Sequence, residues 1–290
     1  MGTIADLTKI LDDQLKAIGI EESEWRAERE RILDHLTETR LAQRMADPQK
    51  ELPIEIFERA EGVLKQRQGR VPLQYILGET YFYGMKFLLR SGVLIPRADT
   101  ETLVEAFIEY FGTERVRSLT LGEIGIGSGI ISVCILKQIP SARSLACDIS
   151  QEAIDVSQQN ADLHAVGGRL SLSRMDWREW LPGVSERLDA IVSNPPYIPQ
   201  SLLPSLAPEV REHEPASALF GAGDDGLDFY REFAALEGTK FRRQIPVFLE
   251  VGDRQAEAVS AILADKKWVG IQCHKDMNGV DRVVSAISPQ

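Results

Sequence analysis

The chain has 290 residues, of which 43% are hydrophobic and 27% charged, and its formal net charge is −11. This composition is typical of a folded globular protein and excludes a collagenous, low-complexity or wholly disordered chain. The acidic balance disfavours a protein whose affinity comes from a nucleic-acid phosphate backbone, because such binding needs clustered lysine and arginine. The longest apolar stretch, residues 130–136, is far shorter than the roughly 20 residues of a membrane helix.

The N-terminal segment bears on where the protein is located, and the histidines bear on whether it binds a metal. No apolar block follows the first residues as it would in a secretory signal, so we expect a cytoplasmic protein with no membrane partner. The four histidines are scattered without the spacing of a metal motif, and we therefore expect no metal ion.

Residues 1–74 predict a small helical bundle. Apolar residues recur there with the spacing of amphipathic helices, in three successive sets that begin at Leu7, Trp25 and Ile56. Residues 75–98 change to aromatic and β-branched side chains around glycines, which predicts a hairpin that links two domains.

Residues 99–290 predict an α/β domain in which strands and helices alternate. The strand-like segments are residues 119–124, 145–148, 170–174, 188–193, 246–251, 269–274 and 282–287. The helix-like segments are residues 130–138, 152–165, 227–236 and 254–263. This alternation predicts a mostly parallel sheet covered by helices on both faces. The last two strands have no helix between them, which predicts an antiparallel pair at one edge.

A glycine-rich turn follows the first of these strands. From Gly125 to Gly129 the sequence has glycine at alternate positions, and a helix begins directly afterwards. Glycines here permit a tight turn and allow a ligand to approach the backbone, and the free amides at the helix start favour an anionic group. The alternative is that the glycines only form the turn.

The ligand that best fits this turn is a nucleoside without phosphates. Asp148 ends the next strand, 19 residues after Gly129, where its carboxylate can accept hydrogen bonds from both ribose hydroxyls. The lysine of a triphosphate-binding loop is missing. S-adenosyl-L-methionine is such a nucleoside. Asp176 and Trp177 offer a carboxylate and an aromatic face for its adenine, with a plain core position as the alternative for Trp177.

The tetrapeptide Asn194, Pro195, Pro196 and Tyr197 follows the fourth strand. The carboxyl ends of parallel strands form the ligand-binding edge of an open α/β sheet, so this loop should face the glycine turn. The prolines stiffen the loop, which leaves the Asn194 amide oxygen and the Pro195 carbonyl as fixed acceptors. Together they can accept both protons of a planar amide or amine nitrogen and turn its lone pair toward a sulfonium methyl, while Tyr197 packs on the plane of that group.

These features resemble class I S-adenosylmethionine-dependent methyltransferases with an Asn-Pro-Pro-Tyr motif, and most of all the glutamine N5-methyltransferases of peptide-chain release factors, the HemK or PrmC family. The resemblance covers nearly the whole chain. Beyond the motifs above, it includes residues 74–78, 94–101, 214–215, 226–227 and 281–282. It implies a Rossmann-like domain with a mostly parallel seven-stranded sheet and an antiparallel edge, preceded by a helical bundle that recognises the substrate. The implied division is residues 1–74, 75–98 and 99–290.

The resemblance also implies roles for individual residues. The implied cofactor contacts are Glu123, Gly125, Ile126, Gly127, Ser128, Gly129, Asp148, Asp176, Trp177 and Asn194. The implied substrate contacts are Arg97, Glu101, Asn194, Pro195, Pro196 and Tyr197, and the last four form the implied catalytic group. For Glu101 the alternative is a solvated helix-capping position.

The implied activity is methyl transfer from S-adenosyl-L-methionine to the side-chain N5 of a glutamine, that of the Gly-Gly-Gln motif in release factors. Three alternatives stay open. A methyltransferase for a ribosomal-protein glutamine would use identical chemistry. An N6-adenine nucleic-acid methyltransferase shares the tetrapeptide, but the acidic balance disfavours it. A noncatalytic module of the same fold is disfavoured by the intact tetrapeptide. We therefore expect release factors as partners and no direct nucleic-acid substrate.

Overall fold

The computed structural model describes residues 2–112, 118–236 and 244–289. The chain forms two compact units, one of Met1–Glu79 with Ala207–His213 and one of Thr80–Leu206 with Glu214–Gln290. The expected division at residues 74 and 98 differs from this, since the first unit extends to Glu79 and includes a segment from far along the chain. None of the helices in the described residues has both the length and the apolar character needed to cross a bilayer.

The helices in the described residues are α1 (Ile4–Ala17), α2 (Glu22–Thr37), α3 (Leu41–Ala46), α4 (Ile54–Gln68), α5 (Leu73–Leu77), α6 (Glu101–Phe111), α7 (Ile130–Gln138), α8 (Gln151–Leu163), α9 (Trp177–Gly183), α10 (Pro208–His213), α11 (Ala216–Leu219), α12 (Asp228–Ala234) and α13 (Ala256–Asp265). The strands are β1 (Gly2–Thr3), β2 (Glu51–Leu52), β3 (Glu79–Phe82), β4 (Met85–Leu88), β5 (Leu119–Ile124), β6 (Ala142–Asp148), β7 (Leu170–Arg174), β8 (Ala190–Ser193), β9 (Pro246–Glu250), β10 (Val269–Lys275) and β11 (Asp281–Ile287). A 3₁₀ turn at Ala98–Thr100 precedes α6.

The first unit is helical and has its own apolar core. Thr3 caps helix α1. Its hydroxyl accepts a hydrogen bond from the Asp6 amide at 3.2 Å, and the Asp6 carboxylate accepts one from the Thr3 amide at 2.8 Å. This reciprocal cap satisfies two amides that the helix itself leaves unpaired. The core is formed by the apolar faces of α1, α2, α4 and α5.

Arginine–carboxylate pairs explain why α10 belongs to this unit. Arg67, which is 1% exposed, donates to Glu28 through Nε at 2.9 Å and Nη2 at 3.0 Å, and its Nη2 lies 3.3 Å from Glu209 in α10. Arg70 donates to the second carboxylate oxygen of Glu209 at 2.8 Å. A buried guanidinium needs such partners to offset its lost hydration. The network therefore fixes α10 beside α4, although the two are distant in sequence.

The second unit contains a seven-stranded sheet of order β10-β11-β9-β8-β5-β6-β7. Strands β5 to β9 pair in parallel, and β11 pairs antiparallel with both β9 and β10. The expected mostly parallel sheet with an antiparallel edge is confirmed. Every residue of β5 is buried, as expected for a central strand covered on both faces. A separate hairpin of β3 and β4 precedes this sheet in the chain.

The register of the sheet brings four strand ends into one row. Ile124 pairs with Cys147 on one side and with Ser193 on the other, and Ser193 pairs with Leu249. The next residue along each strand therefore lies at the same edge. These four residues are Gly125, Asp148, Asn194 and Glu250. The first connection from β5 leads to β6, whereas β8 lies on its other side, so this row crosses the point where the strand order reverses.

Candidate functional site

A cavity of about 310 Å³ opens in the second unit at this edge of the sheet. Its lining comes from residues in the segments 92–94, 124–127, 147–153, 175–178, 193–196, 215–222 and 228–232. Most of the lining is apolar, and the volume is that of a small-molecule site. The cavity therefore lies where open α/β sheets bind ligands.

The glycine turn contributes two of its five residues to the cavity wall. Gly125 and Gly127 line the cavity. Ile126 and Ser128 are buried in the protein interior, and neither is a lining residue. Gly129 has a φ of +81°, and a Cβ there would lie 2.9 Å from the Cβ of Ser157. Gly125 and Gly127 thus lie at the cavity, and the cofactor contact stays a prediction for all five residues of the turn.

Asp148 lies on the cavity wall at the end of β6. Its Oδ2 accepts a hydrogen bond from the Gly127 amide at 3.0 Å, and its Oδ1 accepts one from the Ser150 amide at 2.9 Å. Burial raises the pKa of Asp148, while these amide hydrogen bonds oppose the rise. Each carboxylate oxygen keeps a further lone pair with which it can accept a ligand hydroxyl.

Glu123 does not reach the cavity, although the resemblance implied a cofactor contact for it. The residue is fully buried, and its Oε2 accepts from the Ser132 amide at 3.0 Å and from the Ser132 hydroxyl. Burial raises the pKa of Glu123 to about 8. The carboxyl joins the end of β5 to the first turn of α7, so it supports the glycine turn from behind.

Asp176 and Trp177 both line the cavity. Asp176 caps α9 by accepting from the Arg178 amide at 2.9 Å, and its ion pair with the Arg178 guanidinium lowers the pKa of Asp176. The Trp177 ring packs edge-to-face on Phe229 at a centroid distance of 5.2 Å. Trp177 therefore lines the cavity and also packs in the core, so its position is compatible with both the adenine contact and the core position considered above.

Three residues of the tetrapeptide line the cavity: Asn194, Pro195 and Pro196. The Asn194 Nδ2 donates to the hydroxyl of Thr100 at 3.2 Å. Asn194 and Pro195 therefore line the same cavity as Asp148, as expected for residues that follow neighbouring parallel strands.

Tyr197, the fourth residue, is not a lining residue. Its hydroxyl donates to Oε1 of Glu250 at 3.3 Å, and its carbonyl accepts from Gln255 Nε2 at 2.9 Å. Gly226, with a φ of +74°, packs so closely on this loop that a Cβ would lie 2.3 Å from the Tyr197 carbonyl oxygen. The tyrosine thus anchors the tetrapeptide, and the stacking of its ring on a substrate group stays a prediction.

Arg97 and Glu101 are held by other parts of the second unit rather than by the cavity. Arg97 forms an ion pair with the buried Glu214, whose other oxygen accepts from the Ile95 amide at 3.2 Å. Glu101 begins α6 and accepts from the Tyr83 amide of the hairpin at 2.7 Å. Neither lines the cavity, so their contact with substrate stays a prediction.

The charges on the cavity wall favour a cationic ligand. The ionisable carboxyl and guanidinium groups in the lining are Asp148, Asp176, Asp228, Glu232 and Arg178. Asp176 and Glu232 pair with Arg178, and Asp228 pairs with Arg231, which lies outside the lining. Carboxylates still outnumber guanidinium groups at the wall, which disfavours a phosphate and favours positive charge. Together with the apolar lining, these residues fit a nucleoside that carries a cationic substituent better than they fit a nucleotide.

Two residues next to the site, Thr100 and Glu250, were not predicted from the sequence. Thr100 and Glu250 are each 1% exposed and lie next to the tetrapeptide. For Glu250 a signal was present, because a carboxylate in the apolar segment 246–251, predicted to be a buried strand, is rare unless it is paired. Thr100 gave no comparable signal.

Comparison with known proteins agrees with this arrangement. Residues 6–78 match the model of the PrmC N-terminal domain, and residues 98–204 match that of the methyltransferase small domain. The chain is 37% identical to the release factor glutamine methyltransferase of Cereibacter sphaeroides, with 98% of each chain covered. It is 40% identical to the protein of the same description from Geobacter sulfurreducens, with 81% of this chain and 80% of that one covered.

A solved structure shares the fold. The 16S rRNA N2 G1207 methyltransferase of T. thermophilus, in complex with AdoMet and guanosine, superposes with a TM-score of 0.50 at 18% identity. The superposition covers 73% of this chain and 50% of that one. At this identity the likeness concerns the fold alone.

Proposed function

Because the chain belongs to the release factor glutamine methyltransferase family, we propose that it transfers a methyl group from S-adenosyl-L-methionine to the side-chain N5 of a glutamine in a peptide-chain release factor. The observation that carries the proposal is the position of Asn194 and Pro195 on the wall of the same cavity as Gly127 and Asp148. The glutamine is that of the Gly-Gly-Gln motif.

The residues of the cavity suit S-adenosyl-L-methionine. The Asp148 carboxylate would accept hydrogen bonds from the ribose hydroxyls, and the backbone at Gly125 and Gly127 would lie beside the ligand. Trp177 and Ile149 offer apolar surface to the adenine, and both line the cavity. When bound, the cofactor supplies a methyl group on a positively charged sulfur.

The tetrapeptide would act on the substrate amide by positioning it. The Asn194 oxygen and the Pro195 carbonyl accept the two amide protons, which fixes the nitrogen and increases its electron density. Alignment of this kind can lower a barrier by roughly 7 to 11 kcal/mol. The nitrogen lone pair would form the bond to the methyl carbon as the carbon–sulfur bond breaks, with S-adenosylhomocysteine as the leaving group. The nitrogen would release one proton to water, so the transfer needs no covalent enzyme intermediate.

The first unit is proposed to recognise the protein substrate, because every cavity-lining residue belongs to the second unit. A variant that lacks residues 1–79 and carries a glycine–serine linker in place of residues 207–213 tests this division. It should bind S-adenosylhomocysteine and methylate a short Gly-Gly-Gln peptide, yet lose transfer to the whole release factor. Normal transfer to the whole protein would contradict the division.

The proposed function is tested by labelled methyl transfer to three substrates in parallel. The purified protein is incubated with S-adenosyl-L-methionine and a release factor, a ribosomal-protein fraction or DNA. We expect label in the release factor alone. Label in the ribosomal fraction or in DNA but not in the release factor would overturn the substrate, and no label in any of the three would overturn the activity.

A further inference from the structure

Behind the cavity wall at Asn194 lies a row of buried polar side chains in the second unit. The Asn194 Nδ2 donates to the Thr100 hydroxyl at 3.2 Å. Thr100 in turn interacts with the carboxyl of Glu250, which also accepts from the Tyr197 hydroxyl at 3.3 Å. Thr100 and Glu250 are almost fully buried, and neither lines the cavity.

The chemistry of these groups gives the row a direction. An ionised carboxylate only accepts hydrogen bonds, and a threonine hydroxyl has a single proton to donate. While Glu250 is ionised, it accepts from the Tyr197 hydroxyl and attracts the proton of the neighbouring Thr100 hydroxyl. The Thr100 oxygen can then only accept, and the group on Asn194 that can donate to it is the NH₂. The Asn194 oxygen is left free on the cavity side.

From this we infer that Thr100 and Glu250 are positioning residues that hold the Asn194 side-chain amide with its oxygen toward the substrate. The inference rests on the proposed function, in which that oxygen accepts a proton of the glutamine amide. If the Asn194 amide were reversed, its NH₂ group would face the NH₂ group of the substrate glutamine. The substrate nitrogen would then lose the acceptor for one of its protons.

The burial of Glu250 makes this orientation sensitive to pH. One carboxylate oxygen, Oε2, is buried without a hydrogen-bond partner among the described residues. Burial raises the pKa of Glu250 to about 7, although Thr100, Tyr197 and the nearby Arg282 oppose the rise. Asp99, on the 3₁₀ turn before α6, adds to the rise.

A further group beside Glu250 belongs to α12. The Tyr230 hydroxyl donates to the Glu250 carbonyl oxygen at 2.6 Å, so it bonds the backbone rather than the carboxyl. When Glu250 is protonated it can itself donate, and the Thr100 proton is released to turn toward the Asn194 oxygen. The fixed orientation of Asn194 is then lost. We therefore expect the transfer rate to fall as the pH drops through the pKa of Glu250.

Steady-state kinetics give the first test. Thr100→Val keeps the shape of the side chain but removes the oxygen, and kcat should fall about tenfold or more with little change in KM for S-adenosyl-L-methionine. Thr100→Ser restores the oxygen and should restore kcat.

Glu250→Gln should lower kcat and remove its dependence on pH between about 6 and 8. Tyr230→Phe removes the hydrogen bond to the Glu250 backbone carbonyl but leaves the Glu250 carboxyl unchanged. The pH profile of kcat in this variant should therefore match that of the parent.

Nuclear magnetic resonance gives a second test that needs no activity. The chain contains three asparagines, Asn160, Asn194 and Asn278, so selective labelling with ¹⁵N-asparagine yields three side-chain amide pairs. The pair that disappears in Asn194→Ser is that of Asn194. Its signals should shift with pH in the parent and in Tyr230→Phe, but not in Glu250→Gln or Thr100→Val. Asn278, which is exposed, serves as the reference.

The two tests separate the inference from the proposed function. Asn194 signals that do not titrate, or that titrate equally in Glu250→Gln, would overturn the positioning role whether or not the protein methylates a release factor. Titrating signals in a protein that labels no release factor would support the orientation and overturn the proposed substrate instead. Unchanged kcat in Thr100→Val would overturn the inference as well.

Discussion

Asp148 is the residue on which cofactor binding should depend most. Its carboxylate lies on the cavity wall and also holds the Gly127 amide. Asp148→Ala removes hydrogen bonds to a charged group, each worth about 1.5 to 3 kcal/mol, so the affinity for S-adenosyl-L-methionine should fall at least about tenfold.

Calorimetric titration measures this change, with Asp176→Ala as the matched control. The Asp176 carboxylate is already paired with Arg178, so its loss should weaken binding less. Equal affinity in the parent and in Asp148→Ala would contradict the ribose contact.

Asn194 should matter for turnover more than for cofactor binding. Its side-chain oxygen is an acceptor in a preorganised site, where one contact is typically worth about 2.7 to 4 kcal/mol of barrier. Asn194→Ala should therefore slow single-turnover methylation about a hundredfold or more. The affinity for S-adenosylhomocysteine, measured on the same preparation, should change much less. A parental single-turnover rate in this variant would remove the tetrapeptide from the mechanism.

Residue types and spacing were enough to predict the cavity wall at Asp148 and Asn194, because the ends of parallel strands meet at one edge. They did not indicate that Arg97 pairs with Glu214, which lies 117 residues further along the chain. The same holds for Glu101, whose partner is a backbone amide of the hairpin. A sequence pattern indicates that a charged group is present, but only the fold decides what neutralises it.

At the scale of elements, the last glycine of the turn packs closely against α8 where the chain enters α7. Gly129 has a φ of +81°, and a Cβ added to it would lie only 2.9 Å from the Cβ of Ser157. A left-handed conformation costs a non-glycine residue about 1 to 2 kcal/mol, and overpacking adds about 1 to 3 kcal/mol. Gly129→Ala should therefore lower the free energy of unfolding by about 2 kcal/mol or more.

Urea unfolding measures this loss, and Gly168→Ala is the control. A Cβ at Gly168 meets no atom within 4 Å, and its φ is not positive. The control should change the free energy of unfolding by no more than about 0.5 kcal/mol. Equal effects of the two substitutions would contradict the steric role of Gly129.

The regular elements were more predictable than the connections between them. Strands β5 and β7 and helix α7 have the predicted bounds. Leucines alternate with other residues at the start of both strands, and α7 is an almost continuous apolar run between turn residues. The short helix α10 was not predicted, and nothing in its own residues shows that it belongs to the first unit. Its place depends on the buried Arg67, whose carboxylate partners come from two distant helices.

At the scale of the whole molecule, the two units have separate apolar cores. One core contains buried residues between positions 4 and 77, and the others contain buried residues from position 82 onward. A ligand that binds only the second unit should stabilise only that unit, by about 2.7 kcal/mol at a hundred times its Kd. Scanning calorimetry should therefore show two transitions, of which S-adenosylhomocysteine raises one. The raised transition should be the one that Gly129→Ala lowers, and a single transition that shifts as a whole would contradict independent cores.

The central claim is that the nitrogen of a glutamine side chain receives the methyl group. Tandem mass spectrometry of a release factor, after incubation with the protein and S-adenosyl-L-methionine, locates that group directly. We predict one added methyl, on the glutamine of the Gly-Gly-Gln motif, which is absent when the protein carries Asn194→Ala. An unmodified glutamine, or a methyl group on any other residue, would contradict the account.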